Sequence, residues 1–413
     1  MAISPLRTRA GLVLVLLCWP ALASAGLSFD EATRLARDQA PSLVAQHSAL
    51  AGAQAAQPAA AALPDPRLTV GVDNLPISGP DRYSLTRDFM TMQRIGVMQE
   101  VPNRAKREAR AAGAQARVER EKAMLAVAQL AVQREAALAW LGVFFAERRV
   151  AQLADLDREN RILQDTLDAR VASGKAMPAE RTMARQEALA LADRQDDARR
   201  DVTKARAALR RWVGGRADDA LDGGPPALSV DPAAVRAGLH RHAEVAPYAA
   251  MQAMAQAEVG EAQAEQRGDW GWEVAYSRRG PQYGDMVSFQ FSFDLPWQKG
   301  RRQQPQIAAK QKDVQRIEAE RDETIRKHQE EIDGQLAELQ ALDAQRERLE
   351  RNGQPLAAER VALALAGYQA GRGDLAAVLM ARRESVETRL RLIELDTQRA
   401  ALRVRLTTLI AEQ

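Results

Sequence analysis

The clearest pattern in the chain is an alternation past its midpoint. Val287, Phe289, Phe291, Phe293 and Leu295 alternate with Ser288, Gln290, Ser292 and Asp294. Strict period two predicts a strand over about 287–295 with one apolar and one polar face. Just upstream, Trp270, Trp272, Val274 and Tyr276 alternate with Gly271, Glu273, Ala275 and Ser277, which predicts a strand over about 270–277. Leu68, Val70 and Val72 against Thr69, Gly71 and Asp73 predict another over about 68–74. A fourth, about 92–101, is blurred: Ile95, Val97 and Val101 share a face with Gln99, and Met92 and Met98 fall on the opposite one.

A longer period governs the rest of the chain. No proline interrupts the stretch from Pro102 to Pro178, or that from Pro305 to Pro355. In the second, Ile307, Val314, Ile317, Ile325, Ile332, Leu336, Leu339, Leu342 and Leu349 recur at helical spacings; in the first, Leu130, Leu138, Leu141, Phe145, Leu153, Leu156, Leu163 and Leu167 do the same. Such coiled-coil-like patterning with charged outer faces predicts very long helices. A helix from Asn103 to Ser173 would measure about 105 Å at 1.5 Å per residue.

Breaker residues mark where these helices turn. Ser173-Gly174-Lys175-Ala176-Met177-Pro178 offers a glycine for a helix C-terminus and a proline for the start of a returning helix. Ala370-Gly371-Arg372-Gly373-Asp374 repeats that logic, with Asp374 as the N-cap. Gly174, Lys175, Pro178, Gly371, Arg372 and Asp374 are therefore the candidate tip residues, suited to an entrance or a docking surface.

Laid end to end, these features occur twice. The expected repeats are 26–222, with a helical hairpin over about 103–212, and 223–413, with one over about 302–411. Each opens on a shorter helical segment: Phe29 to Gln57, opened by Asp30, and Pro232 to Gln266, opened by Asp231. Each then carries two strands, the second ending in Val101-Pro102 or Leu295-Pro296. The breaker-rich stretch from Trp212 to Pro226 reads as the connection between them.

Residues 1–25 read as an export signal: Arg7 and Arg9, an apolar run from Ala10 to Trp19, and the small triplet Ala23-Ser24-Ala25. That run is too short to span a bilayer. The only cysteine, Cys18, lies within it, and Leu17 before it is not the small residue a lipidation site requires. Disulfides, thiolate metal sites and cysteine catalysis are therefore not expected in the mature chain. The formal net charge is +3, two charges of which belong to the signal, so composition offers no case for nucleic-acid binding.

Composition sharpens the meaning of the strands. The chain is only 4% aromatic, yet eight aromatic residues cluster between Trp270 and Trp297. Trp and Tyr lie near the strand ends and Phe on the apolar face, as in strands of a transmembrane barrel. Trp270, Trp272, Tyr276, Phe289, Phe291 and Phe293 are the candidate lipid-facing residues. Four strands cannot close a barrel, and an open sheet in lipid leaves edge amides and carbonyls unsatisfied at several kcal/mol each. Three copies would supply twelve strands around a lumen. The competing reading is a soluble periplasmic coiled-coil protein, an adaptor or scaffold, whose sheet is a small water-exposed domain.

The order of these features resembles the TolC family of outer-membrane efflux channels over essentially the whole mature chain. The fold class expected is mainly α with a small β part, TolC-like, with long helical hairpins forming a periplasmic tunnel. The resemblance implies a homotrimer with a twelve-stranded barrel in outer-membrane lipid of a Gram-negative bacterium. It further implies a periplasmic adaptor (membrane fusion protein) and an inner-membrane transporter of the resistance-nodulation-division type. Gly174-Lys175-Ala176-Met177-Pro178-Ala179-Glu180 and Phe293-Asp294-Leu295-Pro296-Trp297 look like the heavy-metal-efflux branch, the cobalt-zinc-cadmium and copper-silver components. Drug export and type I secretion are the alternatives within the family. Where some members carry two gate aspartates after the second tip, this chain has Ala377 and Met380, and Asp374 is a different acidic candidate nearby.

Candidate chemistry is sparse. His47, His240, His242 and His328 form no metal-ligand cluster in sequence and read as exposed surface histidines. Met90, Met92, Met98 and Met286 lie near the strands; thioethers suit soft cations, but packing accounts for them. No Ser-His-Asp or phosphate-loop motif occurs in a credible context. Acidic residues sit mostly beside arginines on helix faces. No catalytic residue, cofactor or resident metal is expected, and transport is passive conduction.

Overall fold

The computed structural model describes residues 26–409; the expected export signal and the last four residues lie outside the described residues. Helix α1 (Phe29–Gln39) is capped by Ser28, whose hydroxyl accepts the Glu31 amide at 3.2 Å, so Asp30 sits inside the first turn rather than opening it. The single helix expected through Gln57 is in fact two, because Pro41 forces Ala40 into an extended conformation, and α2 (Pro41–Ala60) starts afresh.

Four strands follow the expected alternation: β1 (Arg67–Asp73), β2 (Met92–Val101), β3 (Trp270–Arg278) and β4 (Met286–Phe293). They form one antiparallel sheet in the order β1-β2-β3-β4, so the hairpins of the two halves pair across β2 and β3. The last strand stops at Phe293, two residues before the expected end, although the Asp294 amide still donates to the Asp269 carbonyl at 2.8 Å in the same register.

From this sheet hang the long helices. Helix α3 (Arg104–Ala172) runs 69 residues, about 100 Å at 1.5 Å per residue, and α4 (Pro178–Val213) returns along it. In the second half, Asp231 caps α5 (Pro232–Ala237), its carboxylate accepting the Ala233 amide at 2.9 Å. The helix expected to continue to Gln266 is broken by the strap 238–245, and α6 (Ala246–Ala264) starts with Pro247 in its first turn. Helix α7 (Gln303–Arg348) passes through one π turn, Leu349–Gly353, into α8 (Gln354–Gln369), and α9 (Leu375–Thr407) returns. Pro355 accounts for the π turn, since it lacks the amide that would bond four residues back.

The largest core cluster gathers Leu27, Trp140, Leu141, Phe145, Leu209, Val213, Ile393 and Val404, drawn from both halves. Trp140 is fully buried, its indole N–H donates to the Leu27 carbonyl at 3.0 Å, and Phe29 and Phe144 pack on its ring at 5.5 Å. Leu27 also forms a bridge with Leu221, which anchors the first residues to the connection between halves. Interhelical ion pairs join the returning helices, including Arg346 to Asp396 at 2.7 Å and Arg399 to Asp343 at 2.5 Å. Among the described residues no helix is long and apolar enough to cross a membrane, a statement that says nothing of strands.

Candidate functional site

Register carries the apolar rows across all four strands. Leu68 stands opposite Val97, Val97 opposite Val274, and Val274 opposite Phe289. The neighbouring rows join Val70, Ile95, Tyr276 and Val287, then Gln99, Trp272 and Phe291, then Val101, Trp270 and Phe293. The blurred strand is thus in frame, and its one misfit is satisfied by backbone: Gln99 donates to the Pro64 and Glu100 carbonyls at 2.7 and 2.8 Å.

This apolar face is open to solvent in the single chain. Phe289, Phe291 and Phe293 are 70%, 62% and 66% exposed, Trp270 and Tyr276 are exposed at the two ends of β3, and Trp272 is half-buried. The opposite face is polar, small and crowded: Ala275 and Ser277 are buried, and a Cβ added at Gly96 would lie 2.9 Å from Ala275, Glu273 and Thr69. Its charges are paired, with Arg94 2.8 Å from Glu273 and 3.7 Å from Asp73, and Thr69 donating to Glu273 at 3.1 Å. A water-exposed sheet buries its apolar side; here the order is inverted, with the apolar side exposed and small residues crowded on the polar side. Among the described residues, the outer edges of β1 and β4 have no strand partner.

Beyond the sheet, loops 74–91 and 279–285 interlock. Gln282 donates to the Arg87 carbonyl at 3.4 Å, and Gly280 approaches the Thr86 carbonyl so closely that a Cβ would sit 1.8 Å from its oxygen.

At the other end of the sheet lies a junction that sequence reasoning missed. Asp269 accepts the Asn103 backbone amide at 2.8 Å, the Asn103 side-chain amide at 3.0 Å and the Lys106 ammonium at 3.0 Å. Asn103 in turn caps α3 by accepting the Lys106 amide at 3.0 Å. Burial pushes the Asp269 carboxyl up, but these donors outweigh it and hold the group below the usual carboxylate range. Gly268 completes the junction at φ 60°, where a Cβ would lie 2.1 Å from the Asp294 carbonyl oxygen. The partners are 166 positions apart, so no local pattern announces them.

The two tips are brought together and share one geometry. At the first, the Gly174 amide donates to the Val171 carbonyl and the Lys175 amide to the Arg170 carbonyl at 2.8 Å; at the second, Gly371 donates to Tyr368 and Arg372 to Gly367 at 2.9 Å. Both glycines have positive φ, 71° and 68°, the left-handed helix cap a side chain would strain. Pro178 starts α4, and the Asp374 carboxylate accepts the Ala377 amide at 2.8 Å. Lys175, Arg372, Ala377 and Met380 are exposed. Between the tips lies Tyr368, buried with Leu167, Leu375 and Val378; its hydroxyl donates to Glu180 at 3.0 Å, and the Arg170 guanidinium sits 4.7 Å from its ring centre. Burial, then the bond to Glu180, raise the phenol above its ordinary range, so it is the donor at any neutral pH. Tyr368 lies two residues before the second tip motif, and its role as the clasp comes from the structure alone.

The histidines depart from expectation. His47 and His240 are exposed, but His242 and His328 are buried and stacked, with ring centres 3.8 Å apart and planes 22° apart. His242 lies in the strap and His328 on α7, so burial comes from a crossing that local sequence does not encode. A ligating lone pair lies in its ring plane, and one ion cannot lie in two near-parallel planes, so the stack is no chelate. Among the described residues no group of three or more His, Cys, Asp or Glu side chains is placed to hold a metal.

No protein-family model and no curated protein matches the chain. Solved structures do. A membrane protein from Pseudomonas aeruginosa is 19% identical over 92% of this chain and 89% of its own, with a TM-score of 0.80. The outer membrane protein VceC of Vibrio cholerae is 19% identical over 92% and 95%, at 0.75, and the Campylobacter jejuni CmeC outer membrane channel is 11% identical over 98% and 93%, also at 0.75. At these identities the likeness is one of fold: the four-stranded sheet carried on long helical hairpins is the architecture of TolC-like outer-membrane channels.

Proposed function

We propose that three copies of this chain close their sheets into a twelve-stranded barrel in the outer membrane, continued by the helices as a periplasmic tunnel. The observation that carries this reading is the inverted sheet: a four-strand apolar face open to solvent, a crowded polar face, and two edges unpaired among the described residues. In lipid each unpaired edge is costly, and pairing β4 of one copy with β1 of the next removes both at once. Tyr276 at one end and Trp270 beside Phe293 at the other would then sit toward the two membrane interfaces, with Phe289 and Phe291, the latter beside Trp272, in the lipid band between them. The exposed apolar face argues against the soluble adaptor or scaffold, which gains nothing from it.

Such a duct conducts passively. An inner-membrane transporter of the resistance-nodulation-division type would supply energy and selection, and a periplasmic adaptor would bridge it to the paired tips around Gly174 and Gly371. The segments Gly174 to Glu180 and Phe293 to Trp297 favour heavy-metal cations as cargo over drugs or secreted proteins. A strain lacking the gene, tested against copper, silver, zinc, cobalt, cadmium and common drugs, is expected to be sensitised to one or more of the metals. Sensitivity to drugs alone would reject the metal cargo and leave the duct.

A further inference from the structure

The strap 238–245 crosses α7 with one short 3-10 turn, Leu239–Arg241, and a single histidine bond shapes the part beyond that turn. The Nδ1 atom of His242 accepts the Glu244 backbone amide at 3.2 Å, so that nitrogen carries no proton and the ring is neutral. Its Nε2 is buried with no hydrogen-bond partner. Against this ring lies His328 of α7, whose Nδ1 is 3.1 Å from Glu331 and whose Nε2 is 3.2 Å from Glu244 without hydrogen-bond alignment. Arg134 of α3 adds a positive charge from a third element. The rest of the strap is held by main-chain bonds and by burial: the Arg241 amide bonds Gly238, His242 bonds Leu239 at 3.1 Å, Val245 bonds His242, Ala243 reaches the Leu409 carbonyl at 3.2 Å, and Ala243 and Val245 are buried. Helix α6, which follows, has no side-chain cap at its start.

A second proton on His242 must go to Nδ1. It would then face the Glu244 N–H donor to donor, break the bond that shapes the strap, and place a buried cation against the His328 ring. Glu244 and Glu331 oppose that penalty, while Arg134 and His328 increase it.

We propose that this histidine stack is an acid-released latch, which docks the 238–245 strap on α7 while His242 is neutral and frees it when His242 takes up a proton. The inference rests on the strap's own geometry and holds whether or not the chain forms a duct. Burial, then the neighbouring His328, push the His242 imidazole down to about 4 from its ordinary 6.5. A released strap therefore binds a proton below pH 6.5 that the docked one refuses until about pH 4. Docking weakens across that window and weakens no further beneath it. At pH 5 the docked-to-released ratio is expected to fall about 30-fold from its value at pH 7.5.

Hydrogen exchange on the full-length protein in detergent, corrected for the intrinsic pH dependence of exchange, tests this. Amides in 241–246 are expected to lose about 30-fold in protection between pH 7.5 and 5.0, with amides around Gly174 unchanged. In His242→Gln, whose side-chain oxygen can still accept the Glu244 amide but takes no proton, the response is expected to vanish. Unchanged protection in the wild-type chain, or the same response in His242→Gln, would overturn the latch. Should that variant not fold, the wild-type profile decides. Loss between pH 6.5 and 4 supports the proposal, and loss confined below pH 4, where carboxylates titrate, rejects it.

Discussion

Placing an arginine at Phe291 is expected to remove the protein from the outer membrane, and placing one at Gln290 is not. The two positions are adjacent on β4 and equally at the surface of the single chain, yet register sends them to opposite faces: Phe291 beside Trp272, Gln290 beside Glu273. A charge on the lipid face near the bilayer midplane costs about 2–4 kcal/mol per strand, and threefold symmetry repeats it in every copy. At Gln290 the new guanidinium would meet the Glu273 carboxylate on a wall that already carries Arg94. Unheated gel mobility of the outer-membrane fraction reads the difference: a trimer band for Gln290→Arg, none for Phe291→Arg. Equal tolerance would mean that the apolar face does not meet lipid.

The second large effect is expected at Gly268. Substitution by valine adds a Cβ about 2 Å from the Asp294 carbonyl oxygen, in a backbone conformation at φ 60° and ψ 150° that side chains avoid. The Asp294 carbonyl cannot move without disturbing the Asp294-to-Asp269 bond beside the end of β4. The expected cost is about 3–5 kcal/mol, read as a fall in the melting temperature of the extracted protein. Gly174→Ala is the control, because its φ is equally positive but nothing lies within 4 Å of the added Cβ. Its expected cost is about 1–2 kcal/mol. Similar losses at the two glycines would show that backbone conformation, rather than the close approach at the junction, sets the penalty.

These contrasts also mark what a sequence can convey. The alternation from Val287 to Phe293 put Val287, Phe289, Phe291 and Phe293 together on one face of β4, because period two is a property of the strand itself. The tips were equally legible: Gly174 and Gly371 occupy the positive-φ cap their neighbours implied, and Asp374 caps the helix it precedes. Legibility failed where a partner lies far along the chain. His242 looked exposed because nothing in 238–245 has a period, and only the crossing of α7, at His328, buries it. Asp269 carried no signal at all, since its ligands are the first residues of a helix in the other half. The break between α1 and α2 is a different kind of miss, for Ala40-Pro41 did announce it and the apolar pattern on either side masked it.

The inverted sheet gives those long helices their meaning. Helices of about 100 Å with charged outer faces suit a soluble coiled coil as well as a tunnel. A sheet whose apolar side faces outward and whose edges are bare suits only a surface that something else must cover. The core formed by Leu27, Trp140 and Val404 shows that the two halves fold as one unit, so closure by further copies concerns the sheet edges rather than completion of this core.

The mass of the protein extracted from outer membranes in mild detergent tests that closure most directly. Native mass spectrometry is expected to give three chains per particle, with no adaptor or transporter needed to hold them together. A monomer recovered from the periplasm without detergent would contradict the account.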